Sequence, residues 1–463
     1  MKVSNLNIRQ IISVFVLFFL IFIELSVIYL GGESNSLELS YFVFFNALII
    51  LCLFKFNNIS FTSLGFLFFI SLNIFIFGRF YAVLISSLIG GDYNYNIQDI
   101  FLLNWMTLYV PTYDESIKIF SIINIFFVLF YIGYIVTWNI KYKSGILSIK
   151  GNMKNINKIK IIFYIITLFK IVSLILVVKS VYEHGYLSLY SNQTQGKYDS
   201  AIINMIFYVL FSILIVFDTK NYKKYLFILF CLTLISGLTG SRGALVTGLL
   251  TILYIYGLNY RINLKKLILY CSIVFFLMMI ILSLSSREDS SLSLSVSEFI
   301  PTFLYKQGVT LGVISYSLAD NLVFPIHTKL QALLPLVFRF VSAFEPINFY
   351  TANISTFISY SANPMLFNNG NGLGSSIISE IYILSSNIVL FAIISFFLGS
   401  FLAKSESLVY SNSTIKILLL TVVPIVIFSP RSGLNMLTTA LIYSAVILYI
   451  IKIIILNKKL YEK

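Results

Sequence analysis

The sequence predicts an all-α, polytopic membrane protein, and three observations lead to that class. Apolar runs of about 17 to 25 residues recur along the 463-residue chain, each long enough to cross a bilayer as a helix. Hydrophobic residues make up 59% of the chain and charged residues 11%, with a mean hydropathy of +0.93. The basic residues collect in alternate short connections between the runs, as orientation in a membrane requires.

About twelve spans are expected, at roughly residues 11–30, 40–55, 61–89, 117–138, 161–179, 201–217, 225–240, 243–257, 267–285, 375–401, 414–428 and 433–453. With Lys2 and Arg9 inside, the segments 141–160, 218–224 and 261–266 and the tail from Lys458 are all cytoplasmic. The inner segments then carry about 20 basic and about 3 acidic side chains, against about 9 and about 14 outside. Both termini are therefore expected in the cytoplasm. The first run is full length and shows no small-residue cleavage site, so it is expected to stay as a span.

The whole chain, 1–463, is expected to be one integral membrane domain. Between the ninth and tenth spans lies a long extracytoplasmic loop, 286–374, holding five of the eight prolines (Pro301, Pro325, Pro335, Pro346 and Pro364). Its apolar stretches are short and predict small helices at the interface. Loops of this length usually bind or cover something. The same parity puts residues 92–115 and 183–199 and the turn at Arg242 outside.

The net charge of +14 would suit nucleic acid on a soluble basic face, but here the lysines sit in short loops between apolar runs, so no nucleic acid is implied. Cys52, Cys231 and Cys271 fall inside apolar runs and read as buried small hydrophobes without a disulfide framework. There is no GxxxxGK[ST], HExxH or GxSxG, and His184 and His327 are the only histidines. Neither a metal nor a cofactor is called for.

The sharpest features are two arginines. In TGSRGALVTG, residues 239–248, Arg242 interrupts what would otherwise be one apolar run; at the centre of lipid it would cost about 2.5 kcal/mol or more. Arg431 repeats the arrangement in SPRSG. Each precedes a helix expected to run inward from the outer face. Helix N-termini offer N–H groups and partial positive charge, and an arginine adds a two-pronged donor, so the two turns can clamp a pyrophosphate. The same arginines would equally serve lipid headgroups or an outer-loop carboxylate.

Arg79, Glu24 and Lys170 are embedded in apolar runs, where such groups face protein and either pair with one another or line a pathway. Glu183, His184, Tyr186, Tyr190, Asn192, Gln195, Lys197 and Tyr198 crowd one outer loop. Aromatics among amides stack on sugar rings, and they also populate ordinary membrane interfaces. Residues 368–379, NNGNGLGSSIIS, lead to Glu380 at the top of the tenth span; it can act as a base towards a hydroxyl or pair with an arginine.

Taken in order, the loop HGYLSLYSNQTQ, the turn TGSRGALVTGLL, the long late outer loop ending in GNGLGSSIISEIYI and the turn SPRSGL resemble Wzy-type oligosaccharide repeat-unit polymerases. The likeness runs from about residue 182 onward; the first four spans match only in hydropathy. It implies a GT-C-like membrane glycosyltransferase in the bacterial cytoplasmic membrane. Such an enzyme polymerises undecaprenyl-pyrophosphate-linked repeat units into O-antigen, capsule or related polysaccharide at the outer face.

By context, the resemblance puts the family's outer-loop arginines at Arg242, Arg431 and Arg339, while Arg287 lies in an acidic REDSS setting that suits a salt bridge. It implies Arg242 and Arg431 on the departing pyrophosphate, Arg79 and Arg339 as supports, and Glu380 or His184 at the acceptor hydroxyl. Tyr186, Tyr190 and Lys197 would contact sugar. A chain-length regulator is a possible protein partner. Two rivals stand beside this reading: an O-antigen ligase, which differs in its acceptor, and a lipid-linked oligosaccharide flippase, which should show internal repeats.

Overall fold

Local sequence sets where the helices begin. The computed structural model describes residues 7–30, 35–89, 96–139, 155–185, 201–260, 262–263, 265–270, 272, 296–319 and 321–455. Helix α1 spans Ile8–Leu30. Helix α2 (Ser36–Phe56) starts at a capping box of Asn35 with Glu38, α3 (Leu64–Phe75) at Ser63, and α6 (Tyr113–Thr137) at a second box of Thr112 with Glu115. Each cap satisfies N–H groups that a helix start leaves unpaired. Between α3 and α6 lie α4 (Gly78–Ile89) and the short α5 (Ile97–Phe101).

The chain continues through α7 (Ile156–His184), α8 (Ala201–Phe217), α9 (Tyr222–Leu238) and α10 (Arg242–Gly257). The late loop folds as α11 (Val296–Gln307), α12 (Thr310–Ser317), α13 (Ile326–Gln331), α14 (Val337–Ser342), α15 (Ile354–Ala362) and α16 (Pro364–Asn368). Three helices close the chain: α17 (Ile377–Ser385), α18 (Ile388–Leu408) and the 43-residue α19 (Ser413–Ile455). Among the described residues the only β pairing is the isolated bridge of Leu103 with Tyr109.

Five of these helices, α2, α6, α7, α18 and α19, are long and apolar enough to cross a membrane by length and composition; seven spans result if each bent pair counts as one. Those pairs are α3 with α4, bent by 66°, and α8 with α9, bent by 103°. The segment 61–89 is therefore two half-helices. The segment 375–401 is likewise broken, at Ser386, whose φ of 52° is left-handed. The segments 414–428 and 433–453 join as α19, bent at Gly433. Residues 273–295, covering most of the ninth span and the head of the late loop, lie outside the described residues.

Close backbone approach organises the centre. A Cβ at Gly133 would overlap the Phe396 carbonyl, and one at Gly399 the Phe130 carbonyl, so α6 and α18 touch backbone to backbone; Ser400 Oγ donates to Gly133 O at 3.1 Å. Around this contact Phe54, Phe68, Phe126, Phe130, Tyr131 and Tyr134 are fully buried. The embedded charges are dispersed. Glu24 accepts from Asn46 Nδ2 at 2.5 Å, and the Lys170 ammonium lies 4.4 Å from the Phe207 ring centroid. Cys52 corrects an expectation: it is exposed, and Cys231 is half-buried, because an apolar span residue can face lipid as readily as protein.

The helix ends sort into two poles. Lys55, Asn58, Trp138, Gly257, Ile262, Glu406 and Tyr410 line one cavity of about 210 Å³, and all lie in, or at helix ends next to, connections that the charge count assigns to one side. A Cβ at Gly257 would meet Thr62, whereas one at Gly243, at the other end of α10, would meet Phe428, whose ring stacks edge-on with Phe75 at the end of α3. Both α3 and α10 therefore run from pole to pole. At 1.5 Å per residue their lengths are about 18 and about 24 Å, short of the roughly 30 Å hydrocarbon core. Along these two helices the poles are therefore closer together than the hydrocarbon core is thick.

Candidate functional site

Arg79 stands at the bend between α3 and α4, 3% exposed. Its Nη1 donates to Ile100 O at 2.7 Å and Leu102 O at 2.6 Å, and its guanidinium lies 4.8 Å from the Tyr305 ring centroid. Tyr305 OH donates in turn to Asp99 O at 3.3 Å. Helix α11 can come this close because Gly308 gives it no side chain there: a Cβ would press on Arg79 N and Cγ. A buried guanidinium is thus held by carbonyls and an aromatic face.

Two residues along α11 from Tyr305, Gln307 is 1% exposed and accepts from Arg431 Nη1 at 3.2 Å. The Arg431 guanidinium also lies 5.6 Å from the Phe75 ring centroid. A Cβ at Gly243 would lie 3.9 Å from Arg431 Cδ, so the start of α10 is beside Arg431. The two arginine-bearing turns, 189 positions apart in number, meet at one pole. Arg242 is the first residue of α10; its side chain lies outside the described residues. Ser241 makes no side-chain cap there.

The bend after Arg431 depends on Gly433, with φ 81° and ψ 170°, a region open essentially to glycine alone. Against it stands Glu380, 1% exposed, accepting from Ser375 Oγ at 2.5 Å and Asn435 N at 2.8 Å, with a further backbone bond from Leu434. This revises the expectation of an open anion site at the second turn. The first N–H groups of the resuming helix are already given to an internal carboxylate. Beside them, Ser432 Oγ and Asn435 Oδ1 are buried without a hydrogen-bond partner among the described residues.

His184 and Arg339 make no described contact with these groups. His184 ends α7, exposed, with its Nδ1 3.2 Å from Ser180 O, and α7 packs on α8 and α9. Arg339 is exposed on α14 between Leu336 and Phe340, themselves 51% and 68% exposed, and its side chain makes no hydrogen bond or ion pair with a described residue. Tyr186, Tyr190 and Lys197 lie outside the described residues. Sequence reading missed Tyr305, Gln307, Ser375 and Asn435. In LYKQGVTLG nothing distinguishes Gln307 from an ordinary loop amide; only packing carries it to Arg431.

One pole therefore gathers Arg79, Arg431, the N-terminus of α10 and two orphaned polar atoms, an arrangement suited to a multiply charged anion whose remaining groups are polar. Comparison with curated proteins and with solved structures returns no match. The family model described as O-antigen polysaccharide polymerase Wzy matches residues 10–463, nearly the whole chain. With apolar helices throughout and this match from end to end, the chain belongs to the Wzy family of O-antigen polysaccharide polymerases.

Proposed function

We propose that this protein joins lipid-pyrophosphate-linked oligosaccharide repeat units at the outer face of the bacterial cytoplasmic membrane. In this reading undecaprenyl-pyrophosphate is the carrier and both termini are cytoplasmic. The observation that carries it is the meeting of the 239–243 turn with the 429–433 turn at one pole. A hydroxyl at the non-reducing end of a fresh unit attacks the anomeric carbon of the growing chain. The new glycosidic C–O bond forms as the bond to pyrophosphate breaks; the hydroxyl proton is released, and lipid pyrophosphate departs with the electron pair.

Negative charge concentrates on the leaving group in that step. Arg242, Arg431 and the α10 N-terminus stabilise it there, with Arg79 adding to the local positive potential. Removing one preorganised donor of this kind lowers kcat by about 10²–10³. Glu380 acts as a positioning residue, because its oxygens are engaged in holding the bend.

The test is assembly in vitro: purified protein with its host's undecaprenyl-pyrophosphate-linked repeat unit, for wild type, Arg242→Ala and Arg431→Ala. A product ladder from wild type that disappears in both variants while they stay folded is the expected result. Translocation of the lipid across vesicles without any ladder would instead identify a flippase.

A further inference from the structure

A second cavity, of about 270 Å³, lies between α18 and α19, closed behind by Phe68 of α3 and Phe130 of α6. Its lining is apolar except for Ser405 and Ser429. Along α19 it extends from Ile415 to Ser429, about 21 Å at 1.5 Å per residue. Leu437 and Leu441, beyond the bend, line it as well, so both halves of α19 face the same space. On α18 it includes Phe401, which is 60% exposed, as is its neighbour on that face, Phe397, at 63%. The cavity therefore opens on the side where the protein meets lipid.

Its outer end abuts the candidate site. Ser429 is two residues from Arg431, and Ile377 is three residues from Glu380. An apolar channel about 20 Å long, whose end lies beside the Arg431–Gly433 bend, matches the chemistry of a hydrocarbon chain with phosphate at its head. Resting on the polymerase reading, we propose that this groove holds the pyrophosphate-proximal isoprene units of the lipid-linked substrate's tail, with the pyrophosphate delivered at the Ser429 end. The occupant is set by this continuity: a tail seated here places its own head group at the bend that carries Arg431.

The experiment uses the full-length protein in nanodiscs and a long-chain prenyl pyrophosphate carrying a photoreactive diazirine in the isoprene units nearest its pyrophosphate. After irradiation, labelled peptides are expected from the α18 and α19 faces around Phe401 and Val422. Excess unlabelled undecaprenyl phosphate should abolish the labelling, and the same excess of phosphatidylglycerol should leave it. Filling the groove with Val422→Trp should cut labelling roughly tenfold or more, with Leu418→Trp as a second variant should the first fail to fold.

Labelling that falls elsewhere, or that survives both tryptophans in folded protein, overturns the groove. Equal competition by phosphatidylglycerol overturns it too, by making the cavity a general lipid site. Failure of the groove and failure of the polymerase reading are separable by the assembly ladder. A wild-type ladder with labelling outside the groove sinks the groove alone; groove labelling without a ladder supports the tail site and sinks the polymerase reading.

Discussion

Gly433 shows how one residue fixes the site. In an ordinary helix Gly→Ala gains about 1 kcal/mol. Here φ is 81° and ψ 170°, and a Cβ would strike Glu380 Oε1 and Ser375 Oγ. Gly433→Ala should lose about 1–3 kcal/mol for the backbone alone, measured as a lower thermal midpoint in detergent, together with a weakened ladder. A stabilised variant would show that the bend is not required.

Glu380 separates positioning from catalysis. Glu380→Ala orphans the Leu434 and Asn435 N–H groups, at about 1–3 kcal/mol for each buried donor left unpaired. Glu380→Gln keeps an acceptor and should retain part of the stability and part of the activity together. Complete loss of activity at unchanged thermal stability would make Glu380 the base instead.

Among elements, the connection between α8 and α9 carries a testable ionic contact. Asp218 is partly buried, which by itself would raise its pKa; hydrogen bonds from Lys160, Tyr225 and Asn221 outweigh that and hold it below the usual carboxylate value. A carboxyl whose folded pKa is depressed contributes stability above its unfolded pKa and loses it as pH falls through the folded one. The thermal midpoint of wild type should therefore fall on acidification through the carboxylate range more than that of Asp218→Asn. Parallel curves would show that this contact does not tie α7 to the α8–α9 corner.

At the scale of the whole molecule, the two poles follow the charge asymmetry of the connections. In a background lacking Cys52, Cys231 and Cys271, Arg339→Cys should react with an impermeant maleimide in cells whose cytoplasmic membrane is intact. Lys404→Cys should react only after that membrane is permeabilised. The reverse pattern would invert the orientation. The hydropathy runs and the basic connections 141–160, 218–224 and 261–266 made the all-α membrane class legible in sequence, because both report directly on transfer between water and lipid.

The arginine turns were legible for the same reason: a guanidinium ending an apolar run is costly unless something holds it. The breaks at Ser386 and between α3 and α4 were not, since a half-helix buried in protein is as apolar as a whole span. Sequence by itself determined the class, the family resemblance and which cations deserved a partner. Tertiary structure alone decided that 239–243 and 429–433 meet, that Gln307 and Tyr305 join them, and that Glu380 occupies the helix start beside Arg431. Hydropathy acts residue by residue along the chain, whereas hydrogen bonds and close backbone contacts depend on which distant segments share a pole.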